Sequence, residues 1–274
     1  MLLEIFKFIF YAILIVLISK YLLVINIRKI AEKLNLKSKT VGEIAGISTS
    51  IPEVLTVTVT SISGLYATSI FNVFSSNIIN LIQYIISIII NKNIRLLKNK
   101  ALIVNLILVI ITILLPVILL ILKIQTSTIL IPILLILYIL FLSITNRLHK
   151  KYLKSVDEIA EEYKYKKDKN PIAINVVILI IATMLLYIIG EMLGNTLENL
   201  CYSFGIQEAL IGFILGFITS IPELVTFFES QKHHKEEGKD KFFGVVEASN
   251  NLLTSNMLNL FIIQTIGLVI IQIF

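Results

Sequence analysis

The sequence is poor in charge and in side chains that bind transition metals. Its 274 residues include one cysteine, three histidines and no tryptophan, and only 15% of them are charged. One cysteine excludes an intramolecular disulfide, and the lack of a Cys/His cluster argues against zinc or copper. With 57% hydrophobic residues and a mean hydropathy of +0.91, the chain does not have the composition of a soluble domain.

Long apolar runs are what the sequence has instead. A helix needs roughly 20 apolar residues to cross a hydrocarbon core of about 30 Å. Eight runs meet this length, at about 6–27, 41–63, 67–91, 101–122, 126–146, 172–194, 207–229 and 243–272. The short alternating strands of a membrane barrel are not seen. We therefore predict an all-α integral membrane protein with about eight transmembrane helices.

The positive charges predict the orientation of these helices. All but three of the 24 Lys and Arg residues lie in four segments, at 28–39, 92–100, 147–169 and 232–241. These segments fall in alternate loops, hence on one side of the membrane. Since cytoplasmic loops carry the excess of Lys and Arg, we expect the N-terminus outside a plasma membrane. The net charge of +6 is then explained by topology, which argues against nucleic-acid binding.

A pentapeptide, Thr-Ser-Ile-Pro-Glu, occurs twice within the apolar runs, at 49–53 and at 219–223. A glycine precedes each copy by three residues, at Gly46 and Gly216. A proline in a membrane helix is often only a kink, and one copy alone would allow that interpretation. A carboxylate at the centre of a membrane helix costs roughly 2.5–3.5 kcal/mol, which makes both glutamates functional candidates.

A second motif follows each copy and shows that the chain contains related halves. Ser-Asn-x-x-Asn stands at 76–80 and again at 255–259. By the predicted topology, the two pentapeptide helices cross the membrane in opposite directions, so the halves form inverted repeats, as in many secondary transporters. We expect a first repeat of helices 1–5 at 1–146, a charged cytoplasmic linker at 147–171, and a second repeat of helices 6–8 at 172–274.

Both motifs offer hard oxygen ligands, the preference of Ca²⁺ and Na⁺. On a helix, Thr49 and Ser50 share a face with Glu53. Pro52 opens the helix and frees carbonyls near Gly46, which has no side chain to block an ion. The candidate ion ligands are Glu53, Glu223, Thr49, Ser50, Ser76, Asn80, Thr219, Ser220, Ser255, Asn259, Gly46 and Gly216.

Other polar residues in these segments have simpler interpretations. Asn72, Asn250 and Asn251 are interpreted as helix–helix contacts, a common role of amides in membrane helices. Glu247 lies near a predicted helix end, where we expect it to be solvated at the interface. His234 is expected to be solvated in a loop rich in Lys and Glu.

At these motifs the chain resembles the sodium/calcium exchangers of the cation/Ca²⁺ exchanger superfamily. Their inverted repeats carry a Thr-Ser-x-Pro-Glu helix followed by a Gly-Asn-x-x-Gly-Ser-Asn helix. The first element is complete in both halves here, while the second reads Phe-Asn-Val-Phe-Ser-Ser-Asn at 71–77 and Asn-Asn-Leu-Leu-Thr-Ser-Asn at 250–256. The resemblance implies that Glu53 and Glu223 pair to bind a divalent ion. It also implies alternating access in which Na⁺, or H⁺ in some branches, moves against Ca²⁺.

The sequence departs from the family pattern in three ways. Phe71, Ser75, Asn250 and Thr254 replace the family's glycines, which predicts altered helix packing. Asn259 stands where several prokaryotic relatives have aspartate. Family members usually have ten helices, so two helices of the second repeat are expected to be missing, and a second copy or a partner subunit would then cover the exposed surface.

These observations predict a secondary cation antiporter, not an enzyme, that exchanges Ca²⁺ for Na⁺ and needs no cofactor. Its expected partners are the lipid bilayer and the transported ions. Ca²⁺/H⁺ exchange is the alternative within transport. The alternative of another class is a non-transporting membrane subunit that retains the scaffold, which the lost glycines favour and the two glutamates oppose.

Overall fold

The computed structural model describes residues 2–34, 36–62, 64–124, 126–152, 171–205, 207–236 and 240–273, and every regular element in these ranges is a helix. The helices are α1 Leu2–Ile18, α2 Ile25–Lys33, α3 Ser38–Thr49, α4 Ile51–Ile62, α5 Tyr66–Ile90, α6 Lys100–Ile121, α7 Leu130–Tyr152, α8 Ile172–Phe204, α9 Glu208–Thr219, α10 Ile221–Glu236, α11 Lys241–Met257 and α12 Gln264–Ile273. Two π-helical segments and one 3₁₀ turn complete them, at Ser19–Val24, Leu258–Ile263 and Ile94–Lys98.

The prediction of about eight membrane helices agrees with this arrangement. Both π-helical segments have α-helical torsion angles at their flanking residues, so they join α1 to α2 and α11 to α12. The pairs α3–α4 and α9–α10 are helices broken at one residue. Six helical segments in the described ranges are long and apolar enough to span a bilayer. α7 continues to Tyr152 into the predicted linker, of which residues 153–170 lie outside the described residues.

The surface and the interior have the polarity expected in lipid. Large apolar side chains are exposed along the peripheral helices, such as Ile107 and Ile121 of α6 and Ile139 of α7. Three apolar clusters lie inside the described part of the chain. One contains Tyr84 and Phe261, a second is formed by residues of helices that include α1, α3, α8 and α9, and a small third contains Val57 and Val73. Polar side chains of α3, α5, α9 and α11 are buried as well. An integral membrane protein with a polar centre follows from this distribution.

Two helix pairs related by the internal repeat form that centre, α3 with α11 and α9 with α5. Glycines set the distance within each pair. A Cβ atom added at Gly46 would lie 2.8 Å from the carbonyl oxygen of Asn251, and one at Gly216 would lie 2.7 Å from that of Asn72. Real Cβ atoms do not approach a carbonyl so closely, so these contacts require glycine.

A second glycine lies one turn earlier on each of these helices. A Cβ atom at Gly42 would collide with the carbonyl oxygen of Glu247, and one at Gly212 with that of Thr68. The sequence predicted altered packing because glycines of the second motif are replaced. The close approach is nevertheless present, because α3 and α9 supply the glycines in place of α5 and α11.

This packing predicts a specific effect of one methyl group. We expect Gly42→Ala to lower the free energy of unfolding by about 1–3 kcal/mol, because backbone atoms of α11 must move. Gly190→Ala is the matched control, since nothing lies within 4 Å of a Cβ atom there. Thermal stability in detergent, followed by size-exclusion chromatography, measures both. Equal stability of the two variants would contradict the packing argument.

Candidate ion-binding site

The site is built at the two helix breaks. Ser50 separates α3 from α4 with φ −82° and ψ 2°, and Ser220 separates α9 from α10 with φ −82° and ψ 3°. Pro52 and Pro222 follow two residues later and cannot donate a backbone hydrogen bond, which explains where the helices open. The two breaks therefore have the same local geometry, as the repeated pentapeptide predicts.

The carbonyl oxygens of Gly46 and Gly216 lie at these breaks among hydroxyl groups, but they are not freed as predicted, because each still accepts the backbone N–H of Ser50 or Ser220 at 3.2 Å. The carbonyl oxygen of Gly46 accepts from Ser50 Oγ at 2.8 Å and from Thr49 Oγ1 at 3.4 Å. That of Gly216 lies 3.4 Å from Thr219 Oγ1. These contacts gather hydroxyl and carbonyl oxygens on one side of each break.

Both motif glutamates are fully buried beside the breaks. Glu53 and Glu223 lie in the first turns of α4 and α10, with 0% of each residue exposed. Ser255 Oγ donates to Glu223 Oε1 at 3.0 Å. The other oxygen of Glu223 and both oxygens of Glu53 have no hydrogen-bond partner. A helix N-terminus stabilises a carboxylate by up to about 2 kcal/mol, which does not offset the cost of burying an unpaired charge.

Contacts between the repeats bring the remaining candidates together. Ser50 Oγ lies 2.9 Å from Ser255 Oγ, which joins the first helix break to α11 of the second repeat. On the other side, Ser76 Oγ lies 3.4 Å from Thr219 Oγ1, whose counterpart in the first repeat is Thr49 and not Ser50. Each hydroxyl therefore approaches a residue of the opposite repeat.

The carboxylates face the opposite repeat in the same way. Glu53 lies beside the hydroxyl groups of Thr219 and Ser220, and Glu223 lies beside that of Thr49. Neither arrangement has hydrogen-bonding geometry, so these oxygens surround the carboxylates without neutralising them. Such a set of hard oxygen donors around two carboxylates is chemically suited to Ca²⁺ or Na⁺.

The match to a family of known proteins agrees with this donor set. A sequence model of the sodium/calcium exchanger proteins matches residues 4–145 and 174–273. The chain belongs to the sodium/calcium exchanger family. Among individually curated proteins, none matches the sequence.

Solved structures of a sodium-calcium exchanger share the fold of this family member. The exchanger NCX_Mj soaked with 100 mM Na⁺ and 10 mM Sr²⁺ has a TM-score of 0.60 at 23% identity, over 98% of this chain and 82% of that one. NCX_Mj soaked with 2.5 mM Na⁺ and 0.1 mM Ca²⁺ has a TM-score of 0.59 at 24% identity, with the same coverage. These identities establish similarity of fold.

An asparagine clamp, formed by Asn77 and Asn256, joins α5 to α11, the helices that carry the two Ser-Asn-x-x-Asn motifs. Asn77 Nδ2 donates to the carbonyl oxygen of Asn256 at 3.2 Å, and Asn256 Nδ2 donates to that of Asn77 at 3.0 Å. Asn80 Nδ2 lies 3.2 Å from Ser255 Oγ and 3.3 Å from Asn256 Oδ1. Sequence reasoning did not select Asn77 or Asn256, although both stand in the repeated Ser-Asn-x-x-Asn motif.

Asn259 is the candidate that the structure does not join to the others. It is fully buried in the π-helical segment Leu258–Ile263, which packs against α4 and α5. Its amide nitrogen and oxygen have no hydrogen-bond partner. Asn80, its counterpart in the first repeat, does reach Ser255, so the two repeats differ at this position.

The asparagines interpreted as helix contacts include one that touches the site. Asn72 Oδ1 accepts from Thr219 Oγ1 at 3.4 Å, which connects α5 to a candidate ligand on α9. Asn250 contacts Asn105 of α6 at 3.5 Å, as a helix–helix contact should. The side chain of Asn251 is buried, and its amide atoms have no hydrogen-bond partner.

Two expectations of solvation are wrong. Glu247 and His234 are 4% and 3% exposed, and the His234 Nε2 atom lies 3.1 Å from Glu247 Oε2. Ser230 Oγ also donates to Glu247 Oε1 at 2.7 Å. The helices α10 and α11 both extend beyond the expected boundary of the membrane span, which buries these side chains against each other.

The asparagine clamp predicts that Asn77 of the first repeat and Asn256 of the second contribute to stability in a coupled way. We expect Asn77→Ala and Asn256→Ala each to lower the free energy of unfolding by about 1–3 kcal/mol, because each leaves a buried carbonyl without its donor. The double variant should lose less free energy of unfolding than the two single variants lose together, because each bond holds the helices at the separation that the other bond needs. Thermal unfolding in detergent measures the cycle, and additive losses would show that the two bonds act independently.

Proposed function

We propose that the chain is a secondary active antiporter that exchanges Ca²⁺ for Na⁺ by alternating access, without chemical conversion of a substrate. The observation that carries this proposal is the pair of buried glutamates. Three of their four carboxylate oxygens have no hydrogen-bond partner and lie among oxygens of both repeats. The family match supports transport of cations with Ca²⁺ as one substrate.

The charge of the site favours one divalent ion at a time. Glu53 and Glu223 supply two negative charges, while Asn80 and Asn259 supply none. One Ca²⁺ balances this charge, and so do two Na⁺ ions. Ca²⁺ takes six to eight oxygen ligands at about 2.3–2.6 Å in flexible geometry, which the hydroxyl and carbonyl groups can complete.

The ligand set that we propose has three chemical classes. Carboxylates come from Glu53 and Glu223, and main-chain carbonyls from Gly46 and Gly216. Hydroxyl and amide oxygens come from Thr49, Ser50, Ser76, Thr219, Ser220, Ser255, Asn80 and Asn259. Because Na⁺ and Ca²⁺ both need the two carboxylates, occupation by one excludes the other, and this competition couples their movements in opposite directions.

The inverted repeats supply the conformational part of the mechanism. A site between two inverted repeats opens to either side by related rearrangements of each repeat. The structures of NCX_Mj soaked with Na⁺ together with Ca²⁺ or Sr²⁺ support the same two substrates for this fold. We place the N-terminus outside the plasma membrane and divide the chain into repeats at 1–146 and 172–274, joined by a cytoplasmic linker at 147–171.

Transport assays test the proposal. In proteoliposomes with an outward Na⁺ gradient, we expect ⁴⁵Ca²⁺ uptake by the unmodified protein. Glu53→Gln and Glu223→Gln should each reduce its initial rate by at least about 100-fold, because even changes beside metal ligands cost 10–100-fold in affinity. Glu4→Gln is the matched control, since Glu4 pairs with Lys7 at 2.8 Å near the start of α1, and its rate should equal that of the unmodified protein.

The remaining outcomes separate the alternative functions. Uptake driven by an outward H⁺ gradient and indifferent to Na⁺ would replace Na⁺ by H⁺ as the coupling ion. If folded, monodisperse protein takes up no ⁴⁵Ca²⁺ under either gradient, the result would support the alternative function, a non-transporting membrane subunit. Uptake that both glutamine variants retain would contradict the proposed site.

A further inference from the structure

The internal repeat allows each contact at the site to be compared with its counterpart in the other half. The repeated pentapeptide makes Thr49 the counterpart of Thr219, and the repeated Ser-Asn-x-x-Asn motif makes Asn72 the counterpart of Asn251. In alternating access between inverted repeats, the two repeats exchange their arrangements when the site changes sides. A contact that only one repeat makes is therefore specific to one conformation, whereas a contact that both repeats make belongs to both.

Most contacts beside the helix breaks occur in both repeats. The backbone N–H of Ser50 donates to the carbonyl oxygen of Gly46 at 3.2 Å, and that of Ser220 donates to Gly216 at the same distance. Each motif threonine places its hydroxyl 3.4 Å from the same glycine carbonyl of its own repeat. The asparagine clamp is also reciprocal. These contacts do not distinguish one conformation from the other.

Asn72 and Asn251 have equivalent backbone positions in the two repeats. Each stands four residues before the serine of its Ser-Asn-x-x-Asn motif, and each is fully buried. The carbonyl oxygen of Asn72 lies 2.7 Å from a Cβ atom added at Gly216, and that of Asn251 lies 2.8 Å from one added at Gly46. The two side chains therefore start from equivalent places beside the two motif threonines.

The side chains of these two asparagines nevertheless make different contacts. Asn72 Oδ1 accepts from Thr219 Oγ1 at 3.4 Å. Both amide atoms of Asn251 lack a hydrogen-bond partner, although Thr49 stands in its repeat where Thr219 stands in the other. Burying an amide without partners is costly, because it gives up its hydrogen bonds to water. The observed conformation thus pairs the amide oxygen of one repeat and leaves both amide atoms of the other unpaired.

The neighbouring serines show the same difference between the repeats. Ser76 Oγ of α5 lies 3.4 Å from Thr219 Oγ1, whereas Ser255, the counterpart of Ser76 on α11, donates to Glu223. Helix α5 therefore contacts the hydroxyl of Thr219 through two side chains. Within the described residues, no hydrogen bond joins the hydroxyl of Thr49 to α11.

We propose that Asn72 and Asn251 are positioning residues that hold Thr219 and Thr49 alternately, each in one of the two facing conformations. The observed conformation has the bond between Asn72 and Thr219, and the opposite conformation exchanges it for a bond between Asn251 and Thr49. The inference rests on the proposed function, since alternating access supplies the second conformation. The exchange keeps the number of amide–threonine bonds constant, so the change of conformation does not cost a bond.

Two leucine variants test this exchange, because leucine has the branched shape of asparagine without its polar atoms. Asn251→Leu should raise the melting temperature in detergent by about 2 °C or more, because it removes two unpaired atoms from the observed conformation. Asn72→Leu should lower it, because Thr219 loses its amide partner. Although more stable, Asn251→Leu should slow Na⁺-driven ⁴⁵Ca²⁺ uptake at least about tenfold, because the opposite conformation loses its bond.

Two further variants separate the exchange of bonds from a general effect of stability. Gln83 of α5 is buried with both amide atoms unpaired, and its counterpart Ile262 is apolar, so neither repeat makes a hydrogen bond there. Gln83→Leu is the matched control, which should raise the melting temperature and leave the uptake rate unchanged. In the double variant Asn72→Leu/Asn251→Leu, both conformations lose their bond, so uptake should recover toward the rate of the unmodified protein.

Recovery in the double variant distinguishes an exchanged bond from two structural contacts, because losses of structural contacts would accumulate. A lower melting temperature of Asn251→Leu, undiminished uptake by that variant, an equal slowing in Gln83→Leu, or no recovery in the double variant would each overturn the proposal. If the unmodified protein takes up no ⁴⁵Ca²⁺ while the two melting temperatures shift in opposite directions, the proposed transport fails and the Asn72 bond remains specific to the observed conformation. Normal uptake with shifts of the same sign would reject the exchange of bonds alone.

Discussion

Two carboxylates buried at one place in a membrane protein are the constraint on which this structure depends. Glu53 and Glu223 are fully buried, and most of their oxygens lack hydrogen-bond donors. Their burial is tolerable only where the surrounding groups, or a bound cation, compensate the charge. The helix breaks, the converging hydroxyl groups and the positive N-terminal ends of α4 and α10 all act on this one electrostatic problem.

Close helix packing follows from the same constraint. Oxygen ligands from two repeats can surround one ion only if their helices approach to backbone contact. Gly46 and Gly216 allow that approach beside the breaks, where any side chain would meet a carbonyl oxygen. The asparagine clamp then holds α5 against α11 by two hydrogen bonds between the repeats. The packing of these helices and the positions of the oxygen atoms around the glutamates therefore depend on the same close contacts.

Much of this centre could be predicted from sequence because its signals are local. Length and hydropathy indicate a membrane helix, and a proline indicates a break, without knowledge of neighbours. The repeated pentapeptide also predicted that Ser50 and Ser220 would have matching geometry, and their torsion angles agree within a degree.

What sequence reasoning missed depends on which helix faces pair. Gly42 and Gly212 lie one turn before the selected glycines, and their role becomes visible only when α11 and α5 are placed beside them. Glu247 was expected at a solvated helix end because its distance from the apolar run is all that a sequence shows. Its partners Ser230 and His234 lie on the preceding helix and reach it because α10 and α11 pack closely at Gly244.

The internal repeat also shows where conformational change can occur. Matching torsion angles at Ser50 and Ser220, and matching glycine contacts beside them, mean that the two helix breaks are alike in the two halves. The halves differ farther along the same helices, where one has a cavity and the other a hydrogen-bonded carboxylate. Repeats that are alike at their helix breaks and different farther along the same helices can change at those ends while the geometry of the breaks is kept, as the proposed alternating access requires.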